Sequence, residues 1–486
     1  MISFSTCYLA LLLSGAAFAA PVTDPAASGA LISSAAHSSS VASSAGHSTS
    51  SVSASFLTAP SSSATTGNAV ASSTDSAPSS TATVPYISLT PNYPLWNSND
   101  PSTPQAERSS LGASVLGPTN ADIVKQNPDL LAPPTTDGGS VPNAKWPYSL
   151  SSNRLQTGGW ARQQNVNVMP FAENLAGVNM RLEAGAIREL HWHKTAEWAY
   201  VLKGTTQVTS VNADGQNYVA DVNAGDLWYF PPGVPHSLQG TNDDPDGTEF
   251  LLVFPTGDFN EDDTFLLTDW MAHVPAEVLA KNFQTDISTF SQVPAKELYI
   301  FPGANPAPPS AAPVSPNGVV PQPFTFNFSS VAPIQVPGGS YKIVDSTTFN
   351  VSTQVAAAQI SLEPGAMREL HWHPTQDEWG FFLEGQGRMT IFASSGNART
   401  FDYQAGDISY IPATYGHYVE NTGSSTLTFL EIFNTDKFED ISLSNWLALI
   451  PPALVQAHLG FDNETIASLP KTQRVITAPL NATSSS

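Results

Sequence analysis

Six of the ten histidines in this chain fall into two sets with nearly the same spacing, and each set contains one glutamate. The eight residues are His191, His193, Glu197 and His236 in the first set, and His371, His373, Glu378 and His417 in the second. Three imidazoles and one carboxylate suit a hard-to-borderline divalent metal ion and leave coordination positions open for a substrate. The sequence therefore predicts two metal sites, although ligand types alone do not choose among manganese, iron and zinc. Buried histidines with a purely structural role, or remnants of inactive metal sites, are the alternative, which explains a lone histidine better than two complete sets.

Each pair of neighbouring histidines has one residue between its members, as in His191-x-His193. Alternate side chains of a β-strand share a face, so both imidazoles of such a pair point the same way. Glu197 follows His193 by four residues, whereas Glu378 follows His373 by five. This difference changes the strand parity, and it predicts a turn between the histidine pair and the glutamate in at least one copy.

Both ligand sets belong to an internal repeat. Residues 185–193 recur with one substitution at 365–373, residues 225–231 match 406–412, and residues 250–254 match 429–433. The surrounding sequence consists of short apolar segments split by Gly, Pro, Asn and Asp, which is typical of an all-β fold. A helical pattern follows each β block, over residues 267–283 and 443–459. We therefore predict two like all-β domains joined near the Pro-rich stretch 302–323.

The spacing of glycine, histidine, glutamate and proline in both copies resembles the two cupin motifs. Residues 185–204 and 225–236 fit these motifs in the first copy, and residues 365–385 and 406–417 fit them in the second. Two departures touch turns rather than ligands: Thr414 stands where the second motif has glycine, and Gly240 stands where the other copy has Asn421. The resemblance implies an all-β chain of two tandem cupin barrels, of the double-stranded β-helix or jelly-roll type, with short helical segments after each barrel.

Over residues 127–475 the chain is similar to the bicupin oxalate decarboxylases of the secreted, fungal type. The longer strings that carry this resemblance are Arg-Glu-Leu-His-Trp-His in both copies and residues 225–231, 267–270 and 416–421. The resemblance implies a carboxy-lyase that converts oxalate to formate and carbon dioxide. It also implies two manganese ions per chain and dioxygen as co-catalyst. Related bicupins form trimers and hexamers through their helical segments, so we expect a homo-oligomer.

The same resemblance assigns substrate binding to Arg188 and Arg368, each of which precedes the first ligand histidine by three residues. A guanidinium suits oxalate because it is planar, always charged and able to bind a carboxylate through two nitrogens. By strict strand alternation, however, both arginines point away from the histidine pair. A surface salt bridge is the alternative role for them.

Two glutamates are candidate catalytic acids. Glu261 lies in a polar segment just after the last clear strand of the first domain, and it matches the lid glutamate that donates a proton in the decarboxylases. Its alternative is a solvated loop carboxylate. Glu431 replaces Leu252 at the equivalent strand position, where a buried carboxylate has a raised pKa unless it is paired. We favour Glu261 as the main acid and leave open whether the second site is catalytic, auxiliary or structural.

Three other functions compete with decarboxylation. An oxalate oxidase on the same scaffold would release carbon dioxide and hydrogen peroxide, and it would differ mainly in the lid acid, so Glu261 speaks against it. A non-catalytic bicupin of the storage type would tend to lack complete ligand sets. A sugar-binding or matrix protein is suggested only by a Ser/Thr-rich segment near the N-terminus. Turnover of oxalate would exclude both of the binding functions.

Composition narrows the class of partner. The chain has 41 acidic and 18 basic residues and a formal charge of −23, and no basic run exists that could neutralise a nucleic-acid backbone. The acidic balance also suggests tolerance of low pH. The only cysteine, Cys7, lies in the N-terminal apolar run, which excludes disulfides and thiolate ligands from the rest of the chain. Four Asn-x-Ser/Thr sequons, at Asn327, Asn350, Asn463 and Asn481, are compatible with glycosylation.

The N-terminal apolar run ends in Ala17-Phe18-Ala19, the small-x-small pattern of a signal-peptidase site, although no Lys or Arg precedes it. We expect a secreted, extracellular protein with no membrane segment after cleavage, and cell-wall association remains open. The predicted organisation is a signal peptide (1–20), a disordered Ser/Thr-rich stalk (21–84), an N-terminal extension (85–140), cupin domain 1 (141–303), a Pro-rich linker (304–323), cupin domain 2 (324–478) and a tail (479–486).

Overall fold

The structure is a computed structural model that describes residue 134 and residues 136–480. The predicted signal peptide with Cys7, the Ser/Thr-rich stalk, most of the N-terminal extension and the sequon at Asn481 lie outside the described residues. No helix of the described part combines the length and the apolar character that a membrane crossing requires.

The described residues form two similar barrels, each made of a seven-stranded and a six-stranded antiparallel sheet. The strands up to the linker are β1 (Lys145–Pro147), β2 (Arg154–Gln156), β3 (Gly159–Gln164), β4 (Ala176–Leu182), β5 (Ile187–Trp192), β6 (Glu197–Lys203), β7 (Thr205–Val211), β8 (Asn217–Asn223), β9 (Leu227–Phe230), β10 (His236–Gly240), β11 (Thr248–Phe254), β12 (Phe265–Leu266) and β13 (Ile300–Phe301). After the linker come β14 (Thr325–Phe326), β15 (Ile334–Val336), β16 (Gly339–Val344), β17 (Ala356–Leu362), β18 (Met367–Trp372), β19 (Glu378–Glu384), β20 (Gln386–Phe392), β21 (Ala398–Gln404), β22 (Asp407–Ile411), β23 (His417–Asn421), β24 (Leu427–Phe433), β25 (Ile441–Ser442) and β26 (Ile476–Thr477). The predicted all-β fold with two like domains is confirmed.

The two barrels exchange one edge strand. The large sheet of the first barrel has the order β14-β9-β6-β11-β4-β3-β2, and that of the second has the order β1-β22-β19-β24-β17-β16-β15. Strand β1 precedes the first barrel in sequence but pairs with β22, and β14 follows the linker but pairs with β9. Strand β1 therefore lies in predicted domain 1 but completes the large sheet of the second barrel. Strand β14 lies in predicted domain 2 but completes the large sheet of the first.

The central strands of the large sheets are buried on both faces, which explains their continuous apolar runs. On β11, Phe250, Leu252 and Phe254 belong to the core inside the first barrel. The alternate residues Leu251 and Val253 belong to a separate core shared by the two barrels. A residue's parity along such a strand therefore decides whether it faces a barrel interior or the other barrel.

Each predicted helical segment is interrupted by proline. The helices are α1 (Leu267–Ala272), α2 (Ala276–Phe283), α3 (Leu443–Leu449), α4 (Pro452–Leu459) and α5 (Asn463–Ser468). Pro275 precedes α2, and Pro451 precedes α4. Because proline has no N–H and disfavours the helical conformation of the residue before it, one continuous helix over 267–283 or 443–459 cannot form.

Two candidate metal centres

The first ligand set converges inside the first barrel. His191 lies near the end of β5, His193 directly follows that strand, Glu197 begins β6 and His236 begins β10. Antiparallel pairing places His236 directly opposite His191. All four side chains are buried, and one potential ligand atom of each lies within 4.8 Å of the others. A turn separates His193 from Glu197, as the spacing predicts.

The three imidazoles are oriented by backbone carbonyls. The Nδ1 atoms of His191, His193 and His236 hydrogen-bond to the carbonyl oxygens of Glu189, Thr195 and Val234 at 2.6, 2.7 and 2.8 Å. Since a carbonyl only accepts, each Nδ1 carries the proton and donates it. The lone pair of each imidazole is therefore on Nε2, which is the arrangement that second-shell hydrogen bonds impose on metal-binding histidines.

Electrostatics favour the protonation states that bind a metal. Burial lowers the pKa of His191 well below its usual value, and the positive charge of Arg188 lowers it further, so this imidazole stays neutral. Burial alone would raise the pKa of Glu197, but His236 and His193 hold it well below its usual range. A neutral imidazole beside an ionised carboxylate is the form in which these groups act as ligands.

The second ligand set has the same construction. His371, His373, Glu378 and His417 are buried, with potential ligand atoms within 4.8 Å of one another. Their Nδ1 atoms bond to the carbonyls of Glu369, Glu439 and Tyr415 at 2.6, 2.8 and 3.0 Å. The buried Nε2 of His371 has no hydrogen-bond partner within the described part of the chain. A buried acceptor without a partner is costly, and a bound metal ion would satisfy it. The residues of both sets therefore fit a divalent metal ion.

The two centres differ in the groups behind their glutamates. Trp228 donates its indole N–H to Oε1 of Glu197 at 2.7 Å in the first centre. The repeat places Ser409 at the position of Trp228, and the buried Oγ of Ser409 lacks a partner among the residues described. Only the first glutamate is therefore fixed by a tryptophan, although the ligand types are the same.

Arg188 faces the first barrel interior, contrary to the expectation from strict alternation. In the pairing of β5 with β10, His191 lies opposite His236 and Arg188 opposite Leu238. Glu189 and Leu190 of β5 thus lie opposite the single residue Ser237 of β10, which is a β-bulge. The extra residue restores Arg188 to the face of His191, and the same shift separates Arg368 from His371 in the second copy. Both arginines are completely buried, which excludes surface salt bridges.

Glu261 is buried against Arg188 rather than solvated. It begins a short 3-10 turn after β11, and its exposed fraction is 6%. Oε1 accepts hydrogen bonds from Nε and Nη2 of Arg188 at 3.1 and 2.7 Å and from the hydroxyl of Tyr299 at 3.2 Å. Nη1 of Arg188 is buried and has no partner among the described residues.

Arg368 is more completely paired than Arg188. Its Nε donates to Oε1 of Glu431 at 3.1 Å, its Nη2 to Oδ2 of Asp440 at 2.6 Å, and its Nη1 to the carbonyl of Val475 at 3.4 Å. Glu431 is fully buried on the barrel face of β24, and burial raises its pKa although Arg368 acts in the opposite direction. All three guanidinium nitrogens in the second centre are therefore already bonded to the protein.

Sequence reasoning missed three residues of these centres. Asp440 directly precedes β25, as Thr264 directly precedes β12, so the repeat pairs it with a threonine and gives no signal for a carboxylate. Trp228 lies within a repeated string, but the other copy has Ser409 at the matching position. Tyr299 has a left-handed backbone conformation (φ 58°), which is strained for a bulky residue. No local sequence pattern indicates it.

Comparisons with known proteins agree with this architecture. The cupin family model matches twice, at residues 150–290 and 326–467. Oxalate decarboxylase OxdC of Bacillus subtilis is 52% identical over 362 residues, which cover 74% of this chain and 93% of that protein. An oxalate decarboxylase of Arthroderma benhamiae is 38% identical over 399 residues, covering 76% and 92%.

Solved structures of the Bacillus subtilis enzyme superpose on this chain. One structure, described as concerning its Mn(II) centres, has a TM-score of 0.74 and 49% identity and covers 78% of this chain and all of that one. The tryptophan-to-tyrosine variant of the same enzyme gives the same values. The similarity therefore extends over both barrels.

Proposed function

This chain belongs to the double-cupin oxalate decarboxylases of the cupin family, and we propose that its reaction takes place at the first metal centre with Glu261 as the acid. The enzyme breaks the carbon–carbon bond of oxalate, so that one dianion and one proton give one formate and one carbon dioxide. Manganese is the metal cofactor, with one ion for each of the two ligand sets. The proposal therefore concerns which centre reacts and which side chains act there.

One observation carries the proposal: Arg188 and Glu261 form a buried pair next to the first ligand set, and Arg188 keeps one nitrogen unbonded. A buried Nη1 without a partner is costly because it has lost its bonds to water. A carboxylate of oxalate supplies the missing acceptor as well as the charge that a guanidinium prefers. Arg188 is accordingly the residue that binds and orients the substrate.

Glu261 supplies the proton that makes formate. All the hydrogen bonds that its carboxyl group accepts from the described residues reach Oε1, from Arg188 and Tyr299. Oε1 is thereby anchored, and Oε2 is the atom through which the proposal transfers the proton. General acid catalysis requires this combination of a fixed carboxyl group and an available proton.

Bound manganese, with dioxygen as the co-catalyst, supplies a transient one-electron oxidation of oxalate that weakens its carbon–carbon bond. Arg188 holds the carboxylate that remains after carbon dioxide leaves, and Glu261 protonates its carbon as the electron removed from oxalate is returned, so that the reaction involves no net oxidation. If the proton is not delivered, oxidation of that fragment to a second carbon dioxide consumes dioxygen. In that case one oxalate, one dioxygen and two protons give two carbon dioxide molecules and one hydrogen peroxide.

The second centre is proposed to be structural or auxiliary. Arg368 is bonded to Glu431 and Asp440 and has no nitrogen left for a substrate carboxylate. Two carboxylates close to one guanidinium also leave a negative balance, which disfavours an oxalate anion. The roles of Arg368 in substrate binding and of Glu431 in catalysis stay predictions, with less geometric support than those of Arg188 and Glu261.

Self-association of this chain through its helical segments is also proposed. Large apolar side chains are exposed on both sets of helices: Trp270, Val278 and Phe283 in the first, and Trp446, Leu449, Leu454 and Leu459 in the second. Large apolar side chains exposed together on a few short helices are compatible with an interface. A second copy, which carries the same two surfaces, is the partner that the proposal names, and the mass of the protein in solution tests it.

Secretion and glycosylation are proposed from the sequence. The signal pattern before residue 20 supports export. Asn327, Asn350 and Asn463 have exposed side chains, which is compatible with modification. Mass spectrometry of the protein from its natural source would detect both the mature N-terminus and the glycans.

Product analysis tests the proposed reaction. Manganese-loaded protein is incubated with oxalate in air, and formate, carbon dioxide and peroxide are measured together. We expect close to one formate per oxalate and little peroxide. Peroxide without formate would identify an oxidase, and no turnover by metal-replete protein would favour a binding function.

A further inference from the structure

A hairpin at the edge of the first barrel holds the segment that carries Glu261. We call residues 259–264 the lid; strands β2 and β3 form the hairpin at the end of the large sheet. Gln163 accepts a hydrogen bond from the backbone N–H of Glu261 at 2.9 Å and donates one to Oδ1 of Asn260 at 2.8 Å. Asn165, just beyond β3, donates to the carbonyl of Phe259 at 3.0 Å. The lid is thus docked on residues of one short stretch.

Arg154, on β2, makes the outermost of these contacts. Its Nη1 donates to Oδ1 of Asp262 in the lid at 2.8 Å, and its Nη2 pairs with Glu297. Its guanidinium also stacks on the ring of Tyr299, 3.6 Å from the ring centroid. The hydroxyl group of Tyr299 donates a hydrogen bond to Oε1 of Glu261. Arg154 therefore contacts both the lid and the tyrosine that helps to hold the lid acid.

The contact between Arg154 and Asp262 is exposed, and an exposed ion pair is weak. The side chains of Arg154 and Asp262 are 27% and 61% exposed, in contrast to the buried pair of Arg188 and Glu261. An ion pair exposed to this extent changes an equilibrium by about 1.5- to 5-fold. Arg154, Glu261, Asp262 and Tyr299 line a cavity of about 510 Å³, so the lid borders open space on this side.

We propose that Arg154 is a positioning residue that latches the closed lid through Asp262, and so keeps Glu261 beside Arg188 while the proton is delivered. The inference rests on the proposed role of Glu261. A weaker latch raises the fraction of turnovers in which the lid opens before the carbon is protonated. Those turnovers end in carbon dioxide and peroxide instead of formate, so the product ratio reports on the latch.

Asp262→Asn is the most selective test, because it removes the charge of the lid partner and leaves Arg154 bonded to Glu297 and stacked on Tyr299. We expect the peroxide share of turnover in the manganese-loaded enzyme to rise by about 1.5- to 5-fold at about pH 5, while the thermal unfolding midpoint stays that of the wild type. High salt should raise the peroxide share of the wild type more than that of Asp262→Asn, since salt screens exposed pairs. Arg154→Lys, which retains the charge, should raise the peroxide share less than Arg154→Gln does.

Asp246→Asn is the matched control. It breaks the exposed pair of Lys203 and Asp246, which has a length of 2.9 Å and lies away from the lid. A peroxide share of Asp262→Asn equal to that of the wild type, or equal to that of Asp246→Asn, would overturn the latch. Glu261→Gln distinguishes this failure from failure of the proposed function: if it still makes formate at the wild-type yield, the lid acid itself is wrongly assigned.

Discussion

Arg188 donates two hydrogen bonds to a single oxygen of Glu261, from Nε at 3.1 Å and from Nη2 at 2.7 Å. In the second barrel, Nη2 of Arg368 donates one hydrogen bond of 2.6 Å to Oδ2 of Asp440. Nε of Arg368 donates to a second carboxylate, that of Glu431. Arg188 thus binds one carboxylate in the first centre, whereas Arg368, its counterpart in the repeat, binds two in the second. This asymmetry underlies the different roles proposed for the two centres.

Metal content should follow the two ligand sets independently. We expect about two manganese ions per chain in the wild type, and about one in either His236→Ala or His417→Ala, because each substitution removes one imidazole from one set. Elemental analysis after dialysis measures this directly. Only His417→Ala should retain measurable formate production. If either variant still binds two ions, the corresponding ligand assignment is wrong.

Glu249 should make the fold more stable in mild acid. Burial raises the pKa of Glu249 from 4.5 to about 6, against a hydrogen bond from Asn179 that lowers it. Because the folded-state pKa is the higher one, the protonated form stabilises the fold. This contribution, about 2 kcal/mol, is fully present below about pH 4.5 and is lost as the pH rises through about 6.

Chemical denaturation at several pH values tests this linkage. Glu249→Gln cannot titrate, so its free energy of unfolding should vary less between about pH 4.5 and 7 than that of the wild type, by about 2 kcal/mol. Equal pH dependence of the two proteins would show that Glu249 does not contribute. The sign agrees with the acid tolerance that the overall charge suggests.

Thr414 should be a site of local strain. Its φ is 70°, close to the 74° of Gly233 at the same place in the first barrel, and both N–H groups donate to the carbonyl of a ligand histidine. A β-branched residue is unfavourable in this region, whereas glycine adopts it freely. We expect Thr414→Gly to raise the free energy of unfolding by about 0.5–1 kcal/mol, after the greater freedom of glycine in the unfolded chain is subtracted.

The reciprocal change gives the control. A Cβ atom added at Gly233 would meet no atom within 4 Å, so Gly233→Thr introduces the backbone strain at a position with room for the first side-chain atom. It should destabilise the protein by about 1 kcal/mol or more. Destabilisation by Thr414→Gly would mean that contacts of the threonine outweigh its strain.

The sequence was sufficient for the features that repeat. His191-x-His193 and its copy predict two ligand sets, and the matching strings predict two like barrels. Parity, however, failed for Arg188, because a bulge is a mismatch between two strands and cannot be read from one of them. The exchange of β1 and β14 could not be predicted either, since pairing between strands so far apart in the sequence leaves no local signal. The predicted helical segments run through Pro275 and Pro451, although proline itself marks those breaks.

The most direct test of the central claim compares Glu261→Gln with Asp440→Asn, since each change neutralises the carboxylate that accepts a hydrogen bond from Nη2 of the buried arginine in its centre. Formate and peroxide per oxalate are measured for both manganese-loaded variants under identical conditions, and manganese content is checked in each. We predict that Glu261→Gln loses formate by about 100-fold or more, with any residual turnover giving peroxide, and that Asp440→Asn keeps the wild-type product ratio. Loss of formate in Asp440→Asn with normal products from Glu261→Gln would contradict the account and assign the reaction to the second centre.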